Sequence, residues 1–364
     1  MDSDLLLVVV IGMALAFDFT NGFHDTANAM ATSIATRALK PKVAVTLAAL
    51  LNVAGAFLSI KVATTISKGI VDADKITLTV LLAALVGAIA WNLVTWFFGL
   101  PSSSSHALIG GIVGAAWVAH GYDAIETSGV VGKVLVPALL APVIAGGIAV
   151  LATFLSYRLL QRLPGEQGER GYRYGQIGSA SLVSLAHGTN DAQKTMGVIT
   201  LALIVHGSLD KGADPPTWVI LAAALAIGLG TYIGGWRVIK TLGHGLTKVE
   251  APQGFAAETS GASVLLASSY FGYPLSTTHI VSGAVVGSGV GKRLAEVRWS
   301  LAGRIVLAWL VTLPAAAAVA ALVAAGLDEA NSTAGPIVVA ALGALGAGLL
   351  FWAAQRNPVT AKDV

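Results

Sequence analysis

Long apolar runs, broken at intervals by short polar clusters, set the pattern of this chain. Apolar stretches cover 5–39, 43–61, 76–100, 107–119 and 130–163, then 174–206, 218–240, 255–273, 280–289, 301–325 and 336–352. A crossing helix needs about 20 apolar residues. Residues 5–39 and 174–206 exceed one straight crossing, and polar residues interrupt both. The first carries Asn21-Gly22-Phe23-His24-Asp25-Thr26-Ala27-Asn28, the second His187-Gly188-Thr189-Asn190-Asp191-Ala192-Gln193-Lys194. A charge near the bilayer centre costs at least about 2.5–3.5 kcal/mol, so such residues mark a site. The pattern predicts two discontinuous helices, each broken at its polar cluster.

Segments 76–100 and 255–273 run into Pro101-Ser102-Ser103-Ser104-Ser105-His106 and Pro274-Leu275-Ser276-Thr277-Thr278-His279. Proline followed by hydroxyls reads as a helix start. With the Gly-rich segments that follow, the reading is two re-entrant helical hairpins whose second helices begin at Pro101 and Pro274. Residues 130–163 read as a long crossing kinked at Pro137 and Pro142.

The two sets are copies. Aligning Asp25 with Asp191 (191 − 25 = 166) also matches Gly22 with Gly188 and Met30 with Met196. Aligning Pro101 with Pro274 (274 − 101 = 173) matches Gly99 with Gly272, His106 with His279, Gly110 with Gly283 and Gly114 with Gly287. A weaker match sets Gly55 against Gly234. Three matches in the same order point to internal duplication. The expected organisation is a first repeat at 1–163, a cytoplasmic loop at 164–173, a second repeat at 174–325, and an extra membrane helix and tail at 326–364.

Composition narrows the class. The chain is 55% hydrophobic and 11% charged, against roughly 25% charged in soluble domains, and its mean hydropathy is +0.77. It is an all-α polytopic membrane protein of about 10–12 segments. A net charge of +3 with scattered basic residues excludes a nucleic-acid binder, and the absence of cysteine excludes thiolate chemistry. Loop charge then orients the copies. Arg37, Lys40 and Lys42 follow the first segment of copy one, whereas Lys292, Arg293 and Arg298 follow the hairpin of copy two. Asp123 and Glu126 occupy the opposite loop of copy one. The positive-inside rule sets corresponding loops on opposite sides, so the repeats are inverted, with the N-terminus outside and 164–173 inside.

Inverted repeats with paired motifs point to a secondary transporter with its site at the repeat interface. Helix N-termini suit an anion, and Ser103, Ser104, Ser105, Ser276, Thr277 and Thr278 add hydroxyl donors there. Asp25 with Asn21 and Asn28, and Asp191 with Asn190, offer hard oxygens to a cation, sodium or divalent. A dianion beside two carboxylates needs positive charge, so anion and cation should bind together. Lys194 supplies one fixed charge, a solute cation or proton the rest. His106 and His279 read as ligands, proton carriers or orienting groups at the tips. An intramembrane hydrolase using Ser105 and a histidine is the reading from a different class. Against it, a catalytic dyad needs one asymmetric site.

These motifs resemble the inorganic phosphate transporter (PiT) family, in its bacterial low-affinity permease form. The resemblance spans nearly the whole chain. It implies phosphate import across the cytoplasmic membrane by alternating access, driven by a proton or sodium gradient, with phosphate between the hairpin tips. A metal–phosphate complex and sulfate remain open as cargo. The resemblance assigns cation coupling to Asp25, Asp191, Asn28 and Asn190, with Asn21, His24 and Glu258 beside them. It assigns phosphate contacts to the Ser/Thr tips, with Lys194 as their charged neighbour. His24 stands where the commoner motif has Asn, and Asn52 where many members have Glu, while Glu258 keeps the second-copy Glu. These departures point toward protons. The expected partners are phosphate, the coupling cation and the lipid bilayer, with a homodimer as an open assembly and no cofactor.

Overall fold

A bilayer leaves the backbone two ways to satisfy its polar groups, the helix and the closed barrel. The described residues form helices and no strand. A computed structural model describes residues 3–69, 75–162, 165–293, 296–330 and 334–364, with backbone alone at 68, 69, 165, 329 and 330. In chain order the helices are α1 Ser3–Ala35, α2 Pro41–Gly55, α3 Lys61–Gly69, α4 Leu78–Phe97, α5 Ser104–His120, α6 Thr127–Val130 and α7 Val136–Leu160. There follow α8 Gly165–His206, α9 Thr217–Ile233, α10 Trp236–Lys240, α11 Ala251–Tyr270, α12 Thr277–Lys292, α13 Trp299–Ala330 and α14 Gly335–Ala354. By length and apolarity alone five stretches qualify as spans, or six if α9 and α10 count as one bent span. The other long helices carry buried polar residues or are shorter.

The breaks do not fall where the polar clusters suggest. α1 and α8 are continuous through Asn21–Asn28 and His187–Lys194, so neither is a discontinuous helix. A helical backbone satisfies itself, and polar side chains can leave it laterally toward a neighbour without unwinding it. The chain breaks instead within the predicted crossings 43–61 and 218–240. The first splits into α2 and α3, and the second bends by 60° between α9 and α10 at Gly234-Gly235. Gly234, with φ of 78°, adopts a backbone that other residues resist. The expected loop at 164–173 is helical from Gly165 onward, as the first turns of α8, while Pro164 lies outside the described residues. Its Glu, Gln and Arg residues are good helix formers whose charge stays exposed.

Both hairpins are present. α4 and α11 end in matching Schellman turns at Gly99 and Gly272, with φ of 64° and 75°. Leu100 N donates to Thr95 O and Tyr273 N to Ser268 O, each 2.9 Å. The returning helices start at Ser104 and Thr277, three residues beyond the prolines, because Ser103 and Ser276 act as N-caps. Their hydroxyls accept from His106 N (3.1 Å) and His279 N (3.2 Å). A π-turn at Val131–Leu135 leads into α7 just before Pro137, and Pro142 lies inside that helix.

Packing between the two halves is reciprocal. α1 and α8 cross antiparallel along their length: Asp4 meets His206, Asn21 meets Asp191 and Thr36 meets Gln176. Lys61 Nζ donates to Tyr270 O, and Arg237 reaches Phe97 O in the same way, both 3.0 Å. α5 packs on α13, with Gly110 against Leu313 and Gly114 against Ala317. α12 packs on α7, with Gly283 against Pro142 and Gly287 against Gly146. The pair α2 and α9 shifts one turn from the alignment read in the sequence: Gly55 abuts Leu185 and Gly230 abuts Phe19, so Gly55 corresponds to Gly230 rather than Gly234. Lipid tails are as apolar as core side chains, so close backbone approach at small residues supplies much of the adhesion.

A methyl group at Gly114 or Gly287 would collide with the backbone carbonyl of Ala317 or Gly146, whereas one at Gly343 meets nothing within 4 Å. Gly114→Ala and Gly287→Ala should each lose about 1–3 kcal/mol, read as a lower melting temperature in detergent. Gly343→Ala should melt like the parent, and equal melting of all three would contradict this packing.

Candidate functional site

The antiparallel crossing of α1 and α8 brings the two polar clusters face to face. One ligand atom each from Asp25, His187 and Asp191 lies within 4.8 Å of the others. Every residue of the group is buried. Asp191 accepts from Lys194 Nζ (2.7 Å) and Thr277 Oγ1 (2.9 Å) on one oxygen and from Asn21 Nδ2 (3.3 Å) on the other. Asp25 Oδ1 lies 2.7 Å from His24 Nδ1 and accepts from Thr278 Oγ1 at 3.4 Å. Asn28 Nδ2 donates to Thr278 Oγ1 (2.9 Å), which ties the first motif to the second hairpin.

The unpartnered atoms show what this arrangement wants. The amide oxygens of Asn21, Asn28 and Asn190 accept no hydrogen bond, nor does either oxygen of Asp18. Buried polar atoms without protein partners are costly and take ordered water or a ligand. His187 sharpens the point. Asn52 Nδ2 donates to Thr231 Oγ1 (2.7 Å), so its Oδ1 accepts from His187 Nδ1 (3.1 Å). The unpartnered Nε2 then faces Asp191 Oδ2 at 3.6 Å. A lone pair facing a carboxylate is stable only with a proton on the nitrogen or a cation between them. The donor set, carboxylate, amide oxygen and imidazole, accommodates either.

The hairpin tips close over this cluster. Ser105 Oγ donates to Leu275 O across the two tips (3.3 Å), and Lys194 Nζ reaches the same carbonyl (3.2 Å). Ser103, Ser104, Ser105, Ser276, Thr277 and Thr278 are all buried. Ser103 and Ser276 spend their hydroxyls as caps, whereas Ser104 Oγ has no partner. Two helix N-termini and a free hydroxyl therefore converge beside two carboxylates. Behind the tips the rings of His106 and His279 meet edge to face at 4.6 Å, and His279 stacks on Trp309. His279 Nδ1 lies 3.3 Å from Ala138 O, the carbonyl whose helical partner would have been the missing N–H of Pro142. His106 packs against a ring rather than Ser105, so no Ser–His dyad forms.

Sequence reasoning and structure part company over three residues. Glu258 does not join the Asp25–Asp191 cluster; it sits two turns along α1, accepting from Thr32, Ser33 and Ser179 at 2.6 Å and from Gln176 at 3.2 Å. His187 joins the site, whereas the sequence marks it only as the first residue of its motif. Its position four residues before Asp191 on one helix face was the available signal. Asp18, three positions before Asn21 in an apolar run, is a further buried carboxylate of α1. His24 and Asn190 occupy corresponding places: His24 Nε2 lies 3.3 Å from Thr95 Oγ1, and Asn190 Nδ2 donates to Ser268 and Ser269.

The model of the phosphate transporter family matches residues 21–170 and 161–320. The chain belongs to this family. It is 56% identical over 360 residues to a probable low-affinity inorganic phosphate transporter of Mycobacterium tuberculosis, covering 99% of this chain and 86% of that one. A probable low-affinity inorganic phosphate transporter of Bacillus subtilis is 44% identical, covering 87% and 96%. Among solved structures, a sodium-dependent phosphate transporter superposes with a TM-score of 0.77 at 25% identity, over 89% of this chain and 99% of that one. These relatives and this fold are those of membrane transporters, not enzymes.

Glu258 tests the geometry directly. Glu258→Ala strips the acceptor from three buried hydroxyls, at about 1–3 kcal/mol per orphan, and should lower the melting temperature sharply. Glu258→Gln, which keeps an acceptor oxygen, should recover most of that loss. Equal melting of the two variants would show that the hydroxyls do not depend on this side chain.

Proposed function

We propose that this chain imports inorganic phosphate across the cytoplasmic membrane, coupled to a cation gradient, by alternating access of two inverted repeats. One observation carries the reading: the hydroxyls of the second hairpin tip bond the same two carboxylates that open toward a cation. Thr278 reaches Asp25 and Thr277 reaches Asp191. Filling the cation position therefore alters the tip where the anion sits. A cation beside Asp25, Asn21, Asn28 and Asn190 offsets the charge of a phosphate held by Ser104, Ser105, Thr277, Thr278 and the first-turn N–H groups. Each ion makes the other's binding less costly. With these residues buried, the arrangement corresponds to a site closed to both sides.

Inverted repeats at 1–163 and 174–325 find support in the antiparallel crossing of α1 and α8 and in the reciprocal helix pairs. The orientation, with the N-terminus outside, finds support in the way basic segments of both copies meet at one end. Arg37 shares a cleft with Arg173 and Glu250, and Lys292 pairs with Glu250. Phosphate rather than sulfate fits a tip that offers carboxylate acceptors, since only phosphate can donate a hydrogen bond. His24, 2.7 Å from Asp25, favours a proton as the coupling ion.

Proteoliposomes with imposed pH or sodium gradients test this reading. The parent should accumulate labelled phosphate under one of them, with sulfate a poor competitor. Asp25→Asn and Asp191→Asn should each lose gradient-driven accumulation by at least about tenfold. Full accumulation by both variants, or sulfate outcompeting phosphate, would overturn it.

A further inference from the structure

The two halves of the site differ at one decisive position. With Asp25 on Asp191, Asn28 falls on Lys194. Each is one turn beyond its aspartate, on the same helix face. Asn28 bonds the hairpin through its nitrogen and leaves its amide oxygen free. Lys194 also bonds the hairpin through its nitrogen, but it brings a positive charge where Asn28 leaves a free oxygen. Its ammonium lies 2.7 Å from Asp191 and 3.2 Å from Leu275 O, and it is 1% exposed, the one buried Lys or Arg among the described residues. Two oxygens at these distances, one a carboxylate and one a hairpin-tip carbonyl, are what a small cation would also take. An ammonium on a short tether competes at an effective concentration of roughly millimolar or more whatever the solution holds. It also removes the cost of a lone buried carboxylate.

We propose that Lys194 is a tethered cation. It fills, at Asp191, the place that a solute cation takes at Asp25, so each phosphate crosses with one cation fewer than two Asn-type half-sites would carry. The inference rests on the transport reading above and adds to it a stoichiometry determinant. In this assignment Lys194 acts through Asp191 and the Leu275 carbonyl, rather than as a direct clamp on phosphate. The solute cation is confined to the Asp25 side, where Asn21 and Asn28 present their free oxygens.

Lys194→Asn restores to the second motif the residue of the first. Parent and variant are reconstituted, and the membrane voltage that stops net flux of labelled phosphate is measured at a fixed phosphate gradient. The charge carried per phosphate should rise by one in the variant, as should the order of uptake in the driving cation. An active variant with unchanged charge and order, or one that only raises the KM for phosphate, overturns the proposal. Should the variant not turn over, phosphate binding to the purified proteins is titrated by calorimetry across pH and sodium concentration. The slope of log Kd against one of them should steepen by one in the variant, and identical slopes overturn the proposal. Failure of the parent to take up phosphate would instead count against the transport reading.

Discussion

Two carboxylates within 4.8 Å of one another, buried where a membrane interior would be, are the constraint on which the rest depends. At an effective dielectric of about 20 their mutual repulsion is about 3 kcal/mol or more, before desolvation is counted. Much of the central structure answers that cost. Lys194 neutralises Asp191, Thr277 and Thr278 donate into the pair, His24 caps Asp25, and His187 waits opposite Asp191. The remainder is left for a solute, and a site held in that unbalanced state is one whose occupancy can be coupled to something else.

The scaffold exists to bring those carboxylates together and to hold two helix starts against them. Gly22 lies against Ile227 and Gly188 against Asn52, so α1 and α8 approach their neighbours closely beside each motif. The Schellman turns at Gly99 and Gly272 reverse the hairpins sharply enough that both N-termini end at the same place. Ser103 and Ser276 then close the first turn with their own hydroxyls, which frees the next residues for a ligand. Near-equivalent parts assembled twice would give a symmetric site. Lys194 for Asn28 and His24 for Asn190 break that symmetry, and under the proposed transport reading those substitutions set what kind of cation, and how many, the site takes.

Much of this was legible in the sequence. The paired motifs and the hairpins follow from Asp25 and Asp191 and from Pro101 and Pro274, and the helices that carry the two aspartates cross antiparallel. The location of the breaks was not legible, because a polar cluster within an apolar run looks the same whether the helix unwinds or merely turns a polar face to a neighbour. The continuous backbone of α1 and α8 through both clusters decides it. The place of Glu258 was hidden for a related reason: its four donors come from α1 and α8, two turns along α1 from Asp25, and spacing along α11 does not show them. The tautomer of His187 was not legible either, because it is set by Asn52 on another helix.

The most direct test is a structure of the reconstituted protein determined with phosphate present. A tetrahedral anion should lie between the first turns of α5 and α12, within hydrogen-bond reach of Ser104 and of Thr277 or Thr278, with Lys194 still on Asp191. Phosphate bound away from both helix starts, with Ser104 remaining unpartnered, would contradict the arrangement of anion and cation described above.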